Sequence, residues 1–219
     1  MKKSVALKQI SAWAGIIAPI LFTVLVIVES LLRPGYSQIY NYISDLGVGP
    51  YAIILNLNLI VFGILSICVA LGLGASLPAT GGRVAKSIVW LMVIFGFGVI
   101  FAGVALLFPG AATTSASENY PHVLASLIAF LSIIAVQLLT WRALRASDGA
   151  TWGRYRAYSL ISGLLSLLLF LNFLLTQSAA YVGAMQRVFM AVPWVWIEVT
   201  GIKLNSIAKG ESRRASQKS

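Results

Sequence analysis

The sequence predicts an all-α fold, a polytopic membrane bundle of six transmembrane helices with a short interfacial helix between helices one and two. Hydrophobic residues make up 59% of the chain and charged residues only 10%, whereas soluble domains carry about 25% charged residues. Six apolar stretches each reach the roughly 20 residues that a helix needs to cross a bilayer. Finally, the lysines and arginines between these stretches fall almost wholly on alternate loops.

The apolar stretches follow one another in a single domain that covers residues 1–219. We expect helices because backbone polar groups in lipid must be satisfied within the segment, and the sustained polar and apolar alternation of a transmembrane barrel is absent from the sequence. The predicted helices cover residues 11–32, 51–74, 87–108, 122–142, 157–177 and 184–207, and a basic tail follows at 208–219.

The charge pattern predicts an orientation. Of the 16 lysines and arginines, all but Arg33 and Arg187 lie in the N-terminal tail, in the loops after the second and fourth stretches, or at the end of the last helix and in the tail. Basic residues in short loops stay on the cytoplasmic side of a membrane. We therefore predict a multi-pass protein of the cell membrane with both termini cytoplasmic. The net charge of +10 is explained by this topology, so no nucleic-acid partner is expected.

The sequence offers no combination of residues typical of a metal site. Cys68 is the only cysteine and His122 the only histidine. A lone cysteine excludes an intramolecular disulfide and a thiolate cluster, and a lone histidine excludes a site with several histidine ligands. We predict neither a metal nor a cofactor.

The connection between the first two helices is the longest, and it has its own pattern. It reads RPGYSQIYNYISDLGVGPY over residues 33–51. Ile39, Tyr42, Ile43 and Leu46 recur at the spacing of one helical face, and tyrosines suit the headgroup level of a membrane. This pattern predicts a short helix that lies along the outer interface.

Polar residues gather at the outer ends of the predicted helices, where they form a candidate binding site. Its predicted members are Arg33, Ser44, Asp45, Asn56, His122, Gln186 and Arg187. Arg187 is expected either to pair with Asp45 or Glu29, or to bind a phosphate or carboxylate group, for which the guanidinium fork is suited. The structural alternative is that these charges reach water at helix ends and that Asp45 satisfies backbone amides in its own turn.

Two further features are candidates for chemistry. His122 and Ser126 are four residues apart, so they project from one helical face, and histidine can act as an acid or a base near neutral pH. Glu198 lies several residues from either end of the sixth predicted helix, and a carboxylate at such a position is a functional candidate. Alternatively, Glu198 pairs with Lys203 or with an arginine near the cytoplasmic end.

Several motifs resemble those of the bacterial and archaeal membrane-protein family known as domain of unknown function 998. They are R-P-G-Y at Arg33, Y-I-S-D-L-G-V-G-P-Y from Tyr42, N-L-N-L-I-V-F-G from Asn56, P-H-V-L-A-S at Pro121 and G-A-M-Q-R-V at Gly183. The resemblance extends from the first helix to the sixth and implies a six-helix membrane fold without a known activity.

The I-S-D-x-G element, with Ser44, Asp45 and Gly47 at its matching positions, also distantly resembles the DRAM-type six-helix membrane proteins of eukaryotes. Some relatives of those proteins act in lipid-anchor remodelling.

Three functions follow as hypotheses. The leading one is that an outer crevice around Asp45, His122 and Arg187 binds a lipid headgroup or a similar amphiphile, so that membrane lipids are the expected partners. The second is an intramembrane lipid hydrolase, with His122 as the general base, Asp45 orienting it, and Ser126 or a water as the nucleophile. The third is an accessory or structural subunit, either in a homo-oligomer or in a larger membrane complex.

Overall fold

The regular structure of the chain is helical throughout the part described, which comprises residues 2–108, 115–145 and 148–217 of the computed structural model. The α-helices are α1 (Lys2–Leu32), α2 (Ile53–Ser76), α3 (Gly82–Ala105), α4 (Tyr120–Ala143), α5 (Gly149–Leu175) and α6 (Val182–Ser216). Three short 3₁₀ turns lie between them, at Ile43–Gly47, Ala79–Gly81 and Ala116–Glu118. The predicted helices are all present, the first and last are longer at the termini than predicted, and α5 begins at Gly149 rather than at position 157.

Within the described ranges, five segments are long and apolar enough to cross a membrane, namely Ser4–Leu32, Ile53–Ser76, Ala79–Ala105, Tyr120–Ala143 and Gly149–Leu175. Their outward faces carry many exposed leucine, isoleucine and phenylalanine side chains, as expected where lipid replaces water. The chain is therefore a multi-pass membrane protein. Helix α6 is not among the five because polar side chains such as Gln186, Arg187 and Glu198 interrupt its apolar sequence, so a sixth crossing stays a prediction.

The six helices form a closed ring. Each helix packs against the next one in the sequence, and α6 packs against α1. The interior is aromatic at its centre, where Trp194 stacks on Phe62 with ring centroids 4.6 Å apart and meets Phe22 and Phe95 edge-on at 5.5 and 6.1 Å. Such tilted and offset arrangements are favourable for aromatic pairs. Because Trp194 lies on α6, this helix contributes directly to the core.

Helices α1 and α6 approach each other closely at a pair of glycines. A Cβ atom at Gly201 would lie 2.6 Å from the carbonyl oxygen of Ala12, and one at Gly15 would lie 3.0 Å from the Cα of Gly201. Small residues allow helix backbones in membranes to approach in this way. Pro19 lies within α1, beyond this crossing. A groove between the two helices begins near Pro19 and extends toward the end of α1 at Leu32.

The connection between α1 and α2 differs in part from its prediction. Helical structure in this connection is limited to the 3₁₀ turn at Ile43–Gly47, and turns precede it. Ile43 and Leu46 are buried as expected, but Ile39 is 52% exposed. The four apolar residues therefore do not form one face of a continuous helix. The physical reason is that the backbone here bonds to other elements rather than to its own next turn.

Candidate functional site

The motif that begins at Gly183 docks onto the connection between α1 and α2. The backbone amide of Ala184 donates to the carbonyl of Ile39 at 3.1 Å, and the amide of Ile43 donates to Oε1 of Gln186 at 2.5 Å. A Cβ atom at Gly183 would lie only 2.1 Å from the carbonyl oxygen of Asn41, so this position requires glycine. We call these contacts between residues 36–43 and 183–187 the latch, because they hold the connection against the start of α6.

Arg187 is part of the latch. Its Nη1 donates to the carbonyls of Asn41 and Gly183 at 3.1 and 2.9 Å, and its Nη2 donates to the Tyr36 hydroxyl at 2.5 Å. These bonds replace the predicted pairing with Asp45 or Glu29. A guanidinium group has five N–H donors, so the donor at Nε and one at Nη2 have no partner among the described residues. Arg187 thus retains its charge and two N–H groups for a ligand.

Tyr36 supports the arginine from the other side. Its hydroxyl donates to the carbonyl of Tyr42 at 2.9 Å while it accepts from Arg187. Burial raises the pKa of the Tyr36 phenol above its ordinary value, and the neighbouring Arg187 charge opposes this only in part. The phenol therefore stays protonated at neutral pH, as its donation to the Tyr42 carbonyl requires.

Asp45 joins two connecting segments. Its Oδ2 accepts from the backbone amide of Tyr42 at 3.0 Å, which is the local turn role that the sequence also allowed. Its Oδ1 accepts from the hydroxyl of Ser115 at 2.6 Å and from the amide of Ala116 at 3.1 Å. Both carboxylate oxygens are therefore engaged in holding the connection before α2 against the connection before α4.

Arg33 and Asn56 also bond to the backbone of the connection between α1 and α2. Arg33 donates from Nη1 to the carbonyl of Pro50 at 2.7 Å and lies over Gly49, whose φ of +79° favours glycine. Asn56 is buried and donates from Nδ2 to the carbonyl of Gly47 at 3.1 Å. These two side chains hold the connection through its backbone, and Oδ1 of Asn56 is buried without a hydrogen-bond partner among the described residues.

His122, Ser126, Ser44 and Gln186 line one small cavity. Ser44, His122 and Gln186 are members of the predicted binding site, and Ser126 was predicted to share a helical face with His122. The cavity has a volume of about 40 Å³, enough for one water molecule, whose share of liquid volume is about 30 Å³. The remaining wall is apolar and comes from α1, α2, α3, α4, α6 and Ile43 of the 3₁₀ turn. The cavity is therefore a polar point within the bundle, and Ile43 and Ser44 of the turn at Ile43–Gly47 form part of its lining.

The orientation of His122 is set by Ala102 rather than by Asp45. The ring Nδ1 lies 2.8 Å from the carbonyl oxygen of Ala102, and because a carbonyl only accepts, Nδ1 must carry a proton. In the neutral ring, Nε2 is then an acceptor. The backbone amide of His122 donates to the Asn119 side chain at 2.9 Å, which caps the helix. The role that the hydrolase hypothesis gave to Asp45 is thus taken by a backbone carbonyl.

A larger groove of about 490 Å³ lies between α1 and α6. Its walls are apolar, and Ile20, Val24 and Ile27 on its rim are about half exposed to the lipid-facing surface. Arg187 and Glu198 are the two charged residues of α6 in its lining. The sequence reasoning did not find this groove, because no local pattern shows that α1 and α6 are neighbours.

Glu198 and Lys203 do not pair. Lys203 donates to the carbonyl of Thr151 and its ammonium lies over the Trp152 ring, 5.1 Å from the centroid. Glu198 is partly buried in the α1–α6 groove. Within the described residues, the one ion pair is that between Lys8 and Glu211, at 2.5 Å.

One expectation for Glu29 was that its carboxylate reaches water at the end of α1, and the structure does not agree with it. It is fully buried, and neither carboxylate oxygen has a hydrogen-bond partner within bonding geometry among the described residues. The backbone of Leu55 at the start of α2 and the side chain of Arg33 are its polar neighbours. The helix dipole favours a carboxylate at a helix N-terminus, which offsets part of the cost of burying Glu29.

Comparison with known proteins agrees with the motif resemblance. No curated protein and no solved structure matches the chain. The family model described as "Protein of unknown function (DUF998)" matches residues 16–203, from α1 through most of α6. The latch, the Asp45 bonds, the His122 cavity and the α1–α6 groove all lie within the matched residues. The chain therefore belongs to the DUF998 family, whose function is unknown.

Proposed function

We propose that this protein binds an anionic amphiphile in the groove between α1 and α6, with the headgroup at Arg187 and the acyl chain along the apolar walls. The observation that carries the proposal is the position of Arg187 at one end of an apolar groove, with two N–H donors that have no partner in the described part of the chain. Arginine is suited to phosphate and carboxylate groups. Asp45 and His122, which the sequence hypothesis placed beside Arg187, are outside this groove.

The dimensions of the groove support a lipid ligand. Arg187 and Glu198 are eleven positions apart on α6, which corresponds to about 16 Å at 1.5 Å per residue. The hydrocarbon core of a bilayer is about 30 Å thick, so the groove is as long as one leaflet is deep. Its volume of about 490 Å³ is within the usual range for ligand sites, about 300–1,000 Å³.

The two charged ends of the groove indicate the polarity of the ligand. Arg187 attracts an anionic headgroup, whereas Glu198 at the other end repels one. A ligand with a negative charge at one end and a methyl group at the other fits both ends. An amphiphile with a negative charge at each end does not.

Filling the groove tests the proposal. Ala191 lines the groove, and Val188, which is 46% exposed, lies on the same helix outside its lining. Binding of 1-oleoyl-lysophosphatidylglycerol to the detergent-purified protein is measured by native mass spectrometry. We expect Ala191→Phe to lower the affinity at least about tenfold, equivalent to about 1.4 kcal/mol, because the ring occupies the space of the chain. Val188→Phe is expected to bind as the wild type does.

Two results would count against the groove. If Ala191→Phe binds the probe with wild-type affinity, the chain does not lie between α1 and α6. If both phenylalanine variants lose affinity equally, the effect comes from the altered lipid-facing surface in general.

We further propose that α6 is a sixth crossing and that both termini are cytoplasmic. Support comes from the bond between Lys8 and Glu211, which brings the two ends of the chain to the same end of the bundle, and from the basic residues of alternate loops. Five crossings would leave the termini on opposite sides of the membrane.

Cysteine labelling on intact cells tests this orientation. In a Cys68→Ala background, single cysteines replace Ser4, Tyr120 or Lys209, all of them exposed. A membrane-impermeant maleimide should label the cysteine at position 120 directly. The cysteines at positions 4 and 209 should react only after the membrane is permeabilised. Labelling of positions 4 and 209 from opposite sides would contradict the sixth crossing.

A further inference from the structure

The His122 cavity and the α1–α6 groove are neighbours inside the bundle. Four side chains line both of them, namely Phe22, Ile43, Met190 and Trp194. The two spaces are thus separated by a wall one side chain thick. A ligand in the groove lies against this wall, and the polar groups of the cavity lie directly behind it.

The cavity offers hydrogen-bond donors that have no partner among the described residues. Gln186 uses its Oε1 to accept from Ile43, which leaves its amide N–H₂ as a donor. The hydroxyls of Ser44 and Ser126 form no hydrogen bond with another described residue. In the shared wall, Nε1 of Trp194 is buried and unpartnered within the described chain. An unpaired buried donor is unfavourable, so Nε1 of Trp194 favours an acceptor atom at this wall, and Ser44, Ser126 and Gln186 offer further donors beside it.

The position and size of the cavity define which acceptor would fit. Met190 is three positions beyond Arg187 on α6, or about 4.5 Å along the helix. In a lysophospholipid, the ester carbonyl follows the phosphate after one glycerol unit, so a phosphate at Arg187 brings the ester close to the depth of this wall. A volume of about 40 Å³ admits one small polar group and excludes a phosphate.

We propose that the His122 cavity is the subsite for the ester carbonyl of the bound amphiphile, so that the protein selects ester-linked over ether-linked lipids. This inference rests on the proposed amphiphile binding in the groove. The carbonyl oxygen accepts from Ser126, Ser44 or Trp194 when the side chains of the shared wall move aside. The chain of the lipid stays in the groove, and its phosphate stays at Arg187.

Paired probes test the subsite with the full-length protein in detergent. 1-Oleoyl-lysophosphatidylglycerol and its ether-linked counterpart with the same chain differ only at the carbonyl group. We expect the ester to bind about five- to tenfold more tightly, as one hydrogen bond to a neutral group predicts. The triple variant Ser44→Ala, Ser126→Ala and Trp194→Phe, which removes all three donors, should bind the two probes with equal affinity.

Ser132 lies on α4 with Ser126 and provides a matched control. Ser132 is buried and donates to its own helix at the Ile128 carbonyl, so Ser132→Ala should keep the preference for the ester. Equal affinity of the wild type for both probes would overturn the subsite while leaving the groove proposal intact. Failure of both probes to bind would overturn both proposals.

Discussion

Replacing Gly183 by alanine should be one of the two most damaging single changes in this protein. The new Cβ atom would lie 2.1 Å from the carbonyl oxygen of Asn41 and 3.0 Å from its amide nitrogen. The obstacle is backbone, which cannot rotate away as a side chain can. Overpacking of this kind costs about 1–3 kcal/mol, and occasionally more. We expect the upper end of that range, measured as a lower thermal unfolding temperature in detergent.

The control for this change is Gly153→Ala on α5, where a Cβ atom meets nothing within 4 Å. That variant should unfold at the wild-type temperature or slightly above it, because alanine favours helix over glycine. Gly183→Ala should also weaken binding of the amphiphile probe, since the latch holds Arg187. Wild-type stability of Gly183→Ala would show that α6 and the connection before α2 are not in close contact.

The second large effect is expected for Asp45→Ala. The change removes the acceptor for three donors, the amides of Tyr42 and Ala116 and the hydroxyl of Ser115. A buried donor that loses its partner costs about 1–3 kcal/mol, and Asp45 is only half-buried, so we expect a total loss of about 2–3 kcal/mol. The measurement is again thermal unfolding of the purified protein in detergent.

Asp45→Asn separates this structural role from a catalytic one. Asparagine keeps an acceptor oxygen for Ser115 and Ala116, so it should recover a large part of the stability that alanine loses. If Asp45 instead oriented His122, both variants would abolish any hydrolysis of the lysolipid while stability stayed unchanged. That second pattern would contradict the bonds described here.

The helices were predictable because each has a local cause. An apolar stretch of 20 or more residues can satisfy its backbone only as a helix when it is in lipid, and this condition depends on no distant residue. The family motifs were also recognisable without the structure, because each is a short run of neighbouring residues. The sixth helix shows the limit, because Gln186, Arg187 and Glu198 weaken the local signal there.

The roles of the polar residues were not predictable from their positions. Arg187 was expected to pair with a carboxylate or with a ligand, yet three of its donors bond to Asn41, Gly183 and Tyr36. A backbone carbonyl is an acceptor at every residue, so the sequence cannot indicate which one a guanidinium reaches. The burial of Glu29 was equally unpredictable. Its position near a helix end suggested a side chain exposed to water, but packing against the start of α2 buries it.

By itself, the sequence determined that this is a multi-pass helical membrane protein of the DUF998 family, since hydropathy, segment length and motifs are properties of single segments. The tertiary structure decided that α6 returns to α1, that Gly15 and Gly201 form their crossing, and that the groove between them ends at Arg187. It also decided that His122 and Ser126 share a cavity with Ser44 and Gln186. These are contacts between residues far apart in the chain, and they depend on how the helices pack rather than on any local pattern.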